Sequence, residues 1–383
     1  MRTLYLHIGT HRTATSSIQS FMHANSSALL QRGIFYPYKV ARHNDLFRMI
    51  FSGKREVTDA AADLFKRADK RAGPDASVVL SDEDISMQTD LSRLKDFNEF
   101  FQVKVIFSLR RQDFWLESWF LQNIKWQWNE TLSHCTLDAF LARRAEFHWV
   151  DYNTYVTHLE QVFGRENVLL YPFEKEQMPD GPVSAFARMI GLESITGLTP
   201  TPHVNSSHSA KVSEFMRCLP LDEAFPLYRR KLEQACSAVE KQLAMTGSEA
   251  SSLLIGHDYR LAILSEYAEG NAALARRYFN RDQLFLAPVP GADQPVASMQ
   301  LPADSYKLMR DFVEPFVRAL IAQEVAAANA ADEAAQESAQ PPVAKPGSGR
   351  PAGFGNAGAG GGRGNKNKAR PNAGRTQKAG VQR

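Results

Sequence analysis

Between residues 9 and 17 the chain reads Gly-Thr-His-Arg-Thr-Ala-Thr-Ser-Ser. Gly9 allows a tight turn, Arg12 supplies a guanidinium, and Thr13, Thr15, Ser16 and Ser17 supply hydroxyls. Together these groups hold an oxyanion, since guanidinium grips phosphate or sulfate bidentately and hydroxyls add donors. Leu4–Ile8 before the loop alternates like a strand, and Ile18, Phe21 and Met22 after it fall on one face of a helix. A strand, a tight loop and a helix aim several backbone N–H groups at one spot, where the helix N-terminus adds partial positive charge. Against the nucleoside-triphosphate pattern G-x-x-x-x-G-K-[ST], Gly9 and Ser16 fit. Ala14 stands for the second glycine and Thr15 for the lysine, so the cation that reaches the outer phosphates of ATP is missing. The plain alternative is a hydroxyl-capped helix start with no ligand. The loop's place after the first strand of an α/β pattern favours the ligand, because ligands gather at strand carboxyl ends in open sheets.

A second group of this kind lies at Ser108-Leu109-Arg110-Arg111-Gln112-Asp113-Phe114-Trp115-Leu116-Glu117-Ser118. Arg110 ends an apolar strand, and Ser118 lies about two turns into the next helix. If that helix folds back over the strand end, Arg110 and Ser118 converge on another anion. Two such sites suit a nucleotide phosphorylated at both its 5′ and 3′ positions. The competing reading is an ordinary ion pair of Arg110 or Arg111 with Asp113 or Glu117.

The elements that must position these groups follow an α/β order. Short strands are expected at 33–37, 77–80, 103–109 and 167–171, with helices near 56–71, 90–101 and after 111. The acidic loop Ser81-Asp82-Glu83-Asp84 follows the 77–80 strand. Strands separated by helices predict a three-layer α/β fold, a parallel sheet covered on both faces and carrying a phosphate-binding loop. Beyond about 190 the strand pattern fades, and helices near 211–245 and 257–278 predict a mainly helical part. The expected division is a folded domain at 1–322, its nucleotide-binding core at about 1–190. A disordered Ala-, Gly- and Pro-rich basic tail is expected at 323–383.

Hydrophobic residues make up 44% and charged residues 23% of the 383, as in globular proteins. No stretch reaches the roughly 18 apolar residues that span a bilayer, no leader segment is evident, and three scattered cysteines make no disulfide framework. A reducing cytoplasmic setting is the expectation. The net charge of +3 is a property of the tail. Nine Lys or Arg and no acid follow Glu337, which leaves 36 basic against 42 acidic residues, or −6, in the rest. The tail can therefore touch an anionic polymer or membrane surface, while the body carries no nucleic-acid signature.

His7-Ile8-Gly9-Thr10-His11-Arg12-Thr13-Ala14-Thr15-Ser16-Ser17-Ile18-Gln19 resembles the 5′-phosphosulfate loop of bacterial sulfotransferases, of the form H-x-G-x-x-K-T-G-T-T-S-I-Q. Arg110 and Ser118 resemble the same family's 3′-phosphate site. Phe163-Gly164-Arg165-Glu166-Asn167-Val168, Val204-Asn205-Ser206-Ser207, Asn271 and Leu274-Ala275-Arg276-Arg277-Tyr278-Phe279 extend the likeness over about 1–285. Two positions depart from it: the family lysine is Arg12 and the loop glycine is Ala14.

The resemblance implies a donor, 3′-phosphoadenosine 5′-phosphosulfate (PAPS), with Gly9 to Ser17, Arg110 and Ser118 holding it. It also implies sulfuryl transfer, without metal, to a hydroxyl or amine of a glycan, glycolipid or small metabolite. Such a transfer needs charge neutralisation, for which Arg12 is the candidate, and a base for the acceptor proton. Glu83 is the first candidate base, with Asp82 or Asp84 as replacements and His43 as the rival. His11 flanks the loop and can touch the sulfate, whereas His7 is expected in the core. The Trp115, Trp119 and Trp126 stripe is read as packing, with sugar stacking on one of these rings as the alternative. Two other functions remain open: an atypical P-loop kinase with a magnesium acid at 81–83, and a nucleotide-binding protein of the same fold without turnover. The acceptor and the oligomeric state leave no mark in the sequence.

Overall fold

Five parallel strands form one sheet in the order β2-β3-β1-β4-β5, with β1 at Arg2–Gly9, β2 at Ile34–Phe35, β3 at Ser77–Ser81, β4 at Phe101–Leu109 and β5 at Val168–Pro172. The structure is a computed structural model that describes residues 1–200, 208–246 and 252–339. β1 lies in register with β3 through Leu4↔Val78 and Leu6↔Leu80, and with β4 through Leu4↔Val103 and Leu6↔Val105. The strand alternation sends successive side chains to opposite faces. Leu4, Leu6, Ile8, Val78, Leu80, Val105 and Phe107 face one core. Tyr5, Val79, Ile106 and Tyr171 face a second core. Helices Val57–Arg71, Gln112–Trp126 and Tyr152–Phe163 contribute Leu64, Trp115, Phe120 and Val156 to the first core. Helices Thr15–Ala24 and Gly181–Met189 contribute Ile18, Phe21, Met22 and Phe186 to the second. Three layers result, as the strand and helix order requires.

From β1 the chain moves out to β2, returns to β3, and only then crosses to β4 on the other side. The carboxyl end of β1 is therefore the switch point of the sheet, where crevices open in such folds. All three candidate constellations leave strands there. The 152–163 helix ends at Gly164, whose positive φ of 85° terminates it before β5.

Among the described residues no strand follows Pro172. The helix expected over 211–245 is two, Ala210–Arg217 and Pro226–Thr246, separated at Pro220. The chain divides into two compact units, Met1–Asn329 and Ala330–Arg383. The last helix runs Glu314–Ala339, past the boundary expected at 322, because its Ala-rich sequence is a good helix former as well as a poor core former. The rest of the expected tail, 340–383, lies outside the described residues. No described helix is long and apolar enough to cross a membrane.

Candidate active site

β1 ends at Gly9 with φ +92°. A Cβ at this position would stand 2.8 Å from the Cβ of Glu83, so the glycine is required both by its backbone and by the close passage of the β3 loop. The loop then takes two left-handed residues, Arg12 at φ 66° and Ala14 at φ 60°. Each is strained for a residue with a Cβ, a condition that recurs at functional sites. Ala14 precedes the Thr15–Ala24 helix and gives it no side-chain cap. Ala14, Thr15, Ser16 and Ser17 line a cleft of about 380 Å³, so the helix N-terminus faces open space where an anion can sit.

Not every loop hydroxyl reaches that space. Thr13 turns inward: its Oγ1 donates to the Thr10 carbonyl at 2.6 Å and contacts the Ser108 hydroxyl at 2.6 Å. Thr13 therefore braces the loop against β4 instead of donating to a ligand, which corrects its assignment as a contact. Thr10 is fully buried and its Oγ1 has no hydrogen-bond partner among the described residues. The same holds for His11 Nδ1, while His11 itself lines the cleft.

The two arginines after β4 part company, as neighbours at a strand end must. Arg111 turns back and chelates Asp113, with Nε–Oδ1 at 2.8 Å and Nη2–Oδ2 at 3.0 Å. Arg110 turns into the cleft and donates to the Arg12 carbonyl at 2.7 Å. Tyr152 fixes this strand end, since its hydroxyl accepts from the Arg110 N–H at 3.0 Å and donates to the Arg110 carbonyl. Among the described residues no carboxylate lies within ion-pair distance of Arg110. Burial, and then the positive charge of Arg12, pull its guanidinium down to about 10. Arg12 Nε donates to Ser118 Oγ at 2.5 Å and Nη1 to Gln122 at 2.7 Å. Arg12, Arg110 and Ser118 thus converge, and two like charges at one cleft wall are a site for a doubly charged anion.

Glu83 faces this wall as the one carboxylate lining the cleft among the described residues. It is buried, accepts from Gln19 Nε2 at 2.6 Å and lies 3.3 Å from Arg42 Nη1. Arg42 also holds Asp82 and Asp84, each at 2.6 Å. Asp82 lies away from the cleft with its Oδ1 on Arg42 Nε, and burial drives its carboxyl up to about 6 against the pull of Arg42. Burial also opposes ionisation of Asp84, but its bond to His11 Nε2 at 3.0 Å and the charge of Arg42 bring it down to about 2.

His43 is corrected as a base. Its Nδ1 accepts from the Ser81 N–H at 3.0 Å, so Nε2 must carry the proton donated to the Pro37 carbonyl at 3.0 Å. Both nitrogens are committed to backbone, burial holds the ring neutral with its pKa down to about 4, and His43 does not line the cleft. His7 lies in the core as expected, 4.7 Å from the Phe186 ring.

Trp115 and Trp119 are buried, but Trp126 lines the cleft with Trp128, which corrects its reading as packing. Arg42, Gln122, Lys125, Trp128 and His208 belong to the cleft without having been singled out; Arg42 stands beside His43, and Lys125 continues the helix face of Ser118 and Gln122. The other resembling segments are structural. Asn271 exchanges two 3.1 Å hydrogen bonds with Gln112, and Arg277 and Tyr278 both hold Glu160. Val204-Asn205-Ser206-Ser207 lies outside the described residues.

No family model matches the sequence. An uncharacterized protein of Archaeoglobus fulgidus is 21% identical over 213 residues, 52% of this chain and 53% of that protein. The chain thus spans about half the length of the curated relative it matches. A solved sulfotransferase from Alicyclobacillus acidocaldarius has 14% identity and a TM-score of 0.34, over 54% of this chain and 87% of its own. At these levels of likeness the site has to be read from its own residues.

Proposed function

We propose that the protein is a PAPS-dependent sulfotransferase that transfers a sulfuryl group to a hydroxyl or amine. The observation that supports this reading most is the convergence of Arg12, Arg110 and Ser118 beside an uncapped helix N-terminus. Two anion-binding groups at one sheet edge suit a donor charged at two separate phosphates. The unpartnered His11 Nδ1, on a residue that lines the cleft, fits a ligand that brings a further polar atom.

In the transfer the acceptor oxygen attacks sulfur in line with the departing phosphate. One S–O bond forms as another breaks, and negative charge grows on the leaving oxygen. Arg12 and the amides of Thr15 and Ser16 are placed to meet that charge. In this reading Glu83, which lines the cleft and is held by Gln19 and Arg42, takes the acceptor proton.

Calorimetric titration of the full chain with 3′,5′-adenosine bisphosphate, and separately with ATP and magnesium, tests the reading. Bisphosphate is expected to bind more tightly, and Arg110→Ala to weaken it by about 1.5–3 kcal/mol by removing charge-assisted hydrogen bonds. Preference for ATP would replace the reading with a kinase, and bisphosphate binding without turnover would point to a binding protein.

A further inference from the structure

The helix Gln112–Trp126 ends in a feature to which no part of the transfer has been assigned. Trp126 and Trp128 stack nearly parallel, with ring centroids 5.8 Å apart and 9° between planes. Between them Gln127 caps the helix in a left-handed conformation, at φ 44°. Its buried side chain is pinned at both ends: Nε2 donates to the Met216 carbonyl at 2.9 Å and the Leu219 carbonyl at 3.2 Å, and Oε1 accepts from the Asp222 N–H at 3.0 Å. Trp119 supports Trp128 from inside at 6.5 Å. A strained residue held this firmly fixes the two indoles as a platform, yet Trp128 is 57% exposed. A large aromatic ring that is held in place, left bare and set between two cavities offers a face for stacking.

The surroundings of Trp128 indicate the ligand. Trp128 and Arg42 line the donor cleft and also a neighbouring open cavity whose other walls are Asp84, Met87 and Gln88. One indole face flanked by a guanidinium, a carboxylate and an amide matches a hydroxylated ring, whose C–H face stacks while its rim hydroxyls find donors and acceptors. A phenol or a sterol would call for more apolar walls than one indole and one thioether. Arg42 also holds Glu83, so the cavity opens beside the carboxylate that takes the acceptor proton.

We propose that the Trp128 face, with Arg42, Asp84 and Gln88, is the acceptor subsite and that it takes a pyranose ring of a glycan. This rests on the sulfotransferase reading for the word acceptor, but the sugar site stands on its own geometry.

The test is a tryptophan-fluorescence titration of the full chain with cellohexaose, with a hyaluronan hexasaccharide and with p-nitrophenol. Calorimetry with 3′,5′-adenosine bisphosphate is run on the same variants. At least one saccharide is expected to give a saturable change. Trp128→Ala should weaken that binding tenfold or more and Gln88→Ala severalfold, and Gln88→Ala, which lies outside the donor cleft, should leave bisphosphate binding unchanged within twofold. Gln88→Ala also serves where Trp128→Ala folds poorly. Saccharide binding unaffected by either variant, or p-nitrophenol binding through Trp128 while neither saccharide binds, would overturn the proposal. Saccharide binding through Trp128 without any bisphosphate affinity would support the sugar site and remove the transferase reading beneath it.

Discussion

Arg110 and Arg111 are chemically identical and adjacent, and the fold gives them opposite tasks. Arg110 serves the cleft, while Arg111 is 4% exposed and tied to Asp113, Ala287 and Pro288. Arg111→Ala is therefore expected to cost about 3 kcal/mol of stability, at the low end for a broken buried pair because Asp113 keeps Arg260. Its affinity for 3′,5′-adenosine bisphosphate should stay within a few-fold of wild type. Urea denaturation and calorimetry check both halves, and the reverse pattern would exchange the roles of the two residues. Glu83→Gln makes the complementary case for the acid. Loss of a general base should lower the turnover of sulfuryl transfer by about 10²–10⁴-fold while bisphosphate binding holds. A smaller loss would move the proton to another acceptor. Arg110 and Ser118 were legible as an anion site in the sequence, which left open whether Arg110 or Arg111 pairs with Asp113 or Glu117; in the fold it is Arg111 that pairs with Asp113. That choice belongs to strand pleat and to Asp113, which only the folded chain brings to bear.

At the scale of elements, the long helix after β4 carries the site because it is anchored on its far side. Arg260, fully buried, bonds Asp113 at 2.8 Å and Glu117, while Glu117 also accepts the Leu254 and Ile255 N–H groups at 2.6 and 2.7 Å. Phe114 lies between the guanidinium groups of Arg111 and Arg260, at 4.5 and 4.9 Å. Arg260→Met leaves the buried Glu117 with two backbone N–H donors but no cation, while Asp113 keeps Arg111, and should cost about 3 kcal/mol, read as a lower urea midpoint. No sequence pattern linked residue 260 to 113 and 117, because the ion group closes across 143 residues or more of chain.

The carboxyl ends of β1 and β3 make a different element-scale prediction, for pH. Burial holds the rings of His7 and His43 neutral, with pKa values down to about 3 and about 4 from an ordinary 6.5. Below pH 6.5 the unfolded chain binds these protons and the folded chain does not, so each ring makes stability fall with falling pH by about 1 kcal/mol per unit. Asp82, raised to about 6, acts in the opposite sense between about 4 and 6, because there the folded state holds the extra proton. Two rings against one carboxyl leave a net loss of about 1 kcal/mol per pH unit from pH 6 down to 4. Urea midpoints at pH 7, 6 and 5 should decline; a nearly flat profile would mean that one ring takes a proton within the fold, and a rise on acidification that both do.

Over the whole molecule, charge is divided along the sequence more sharply than the total suggests. Residues 340–383 hold nine basic side chains and no acid, and without them the net charge falls from +3 to −6. Deleting them should abolish salt-dependent retention on heparin and leave bisphosphate affinity unchanged, which a column and a calorimeter can establish. Retention of the shortened chain would place a basic face on the body. The sheet was legible at this scale because its strands are short apolar runs between helices. The Trp126–Trp128 platform was not, since stacked indoles and a core stripe share one spacing. Only exposure, set by where Gln127 is pinned, tells them apart.

The passage of the Glu83 Cβ within 2.8 Å of where a Cβ on Gly9 would stand reaches beyond this one chain. Two positions 74 residues apart are thereby tied, the first held to glycine by the second. A lineage can exchange the carboxylate and keep the glycine, but it cannot fill the glycine while any residue with a Cβ stands at 83. Relatives that use the carboxylate should carry the two together, and those that do not should keep the glycine and vary at 83, so the pair offers a way to sort distant relatives before any of them is assayed.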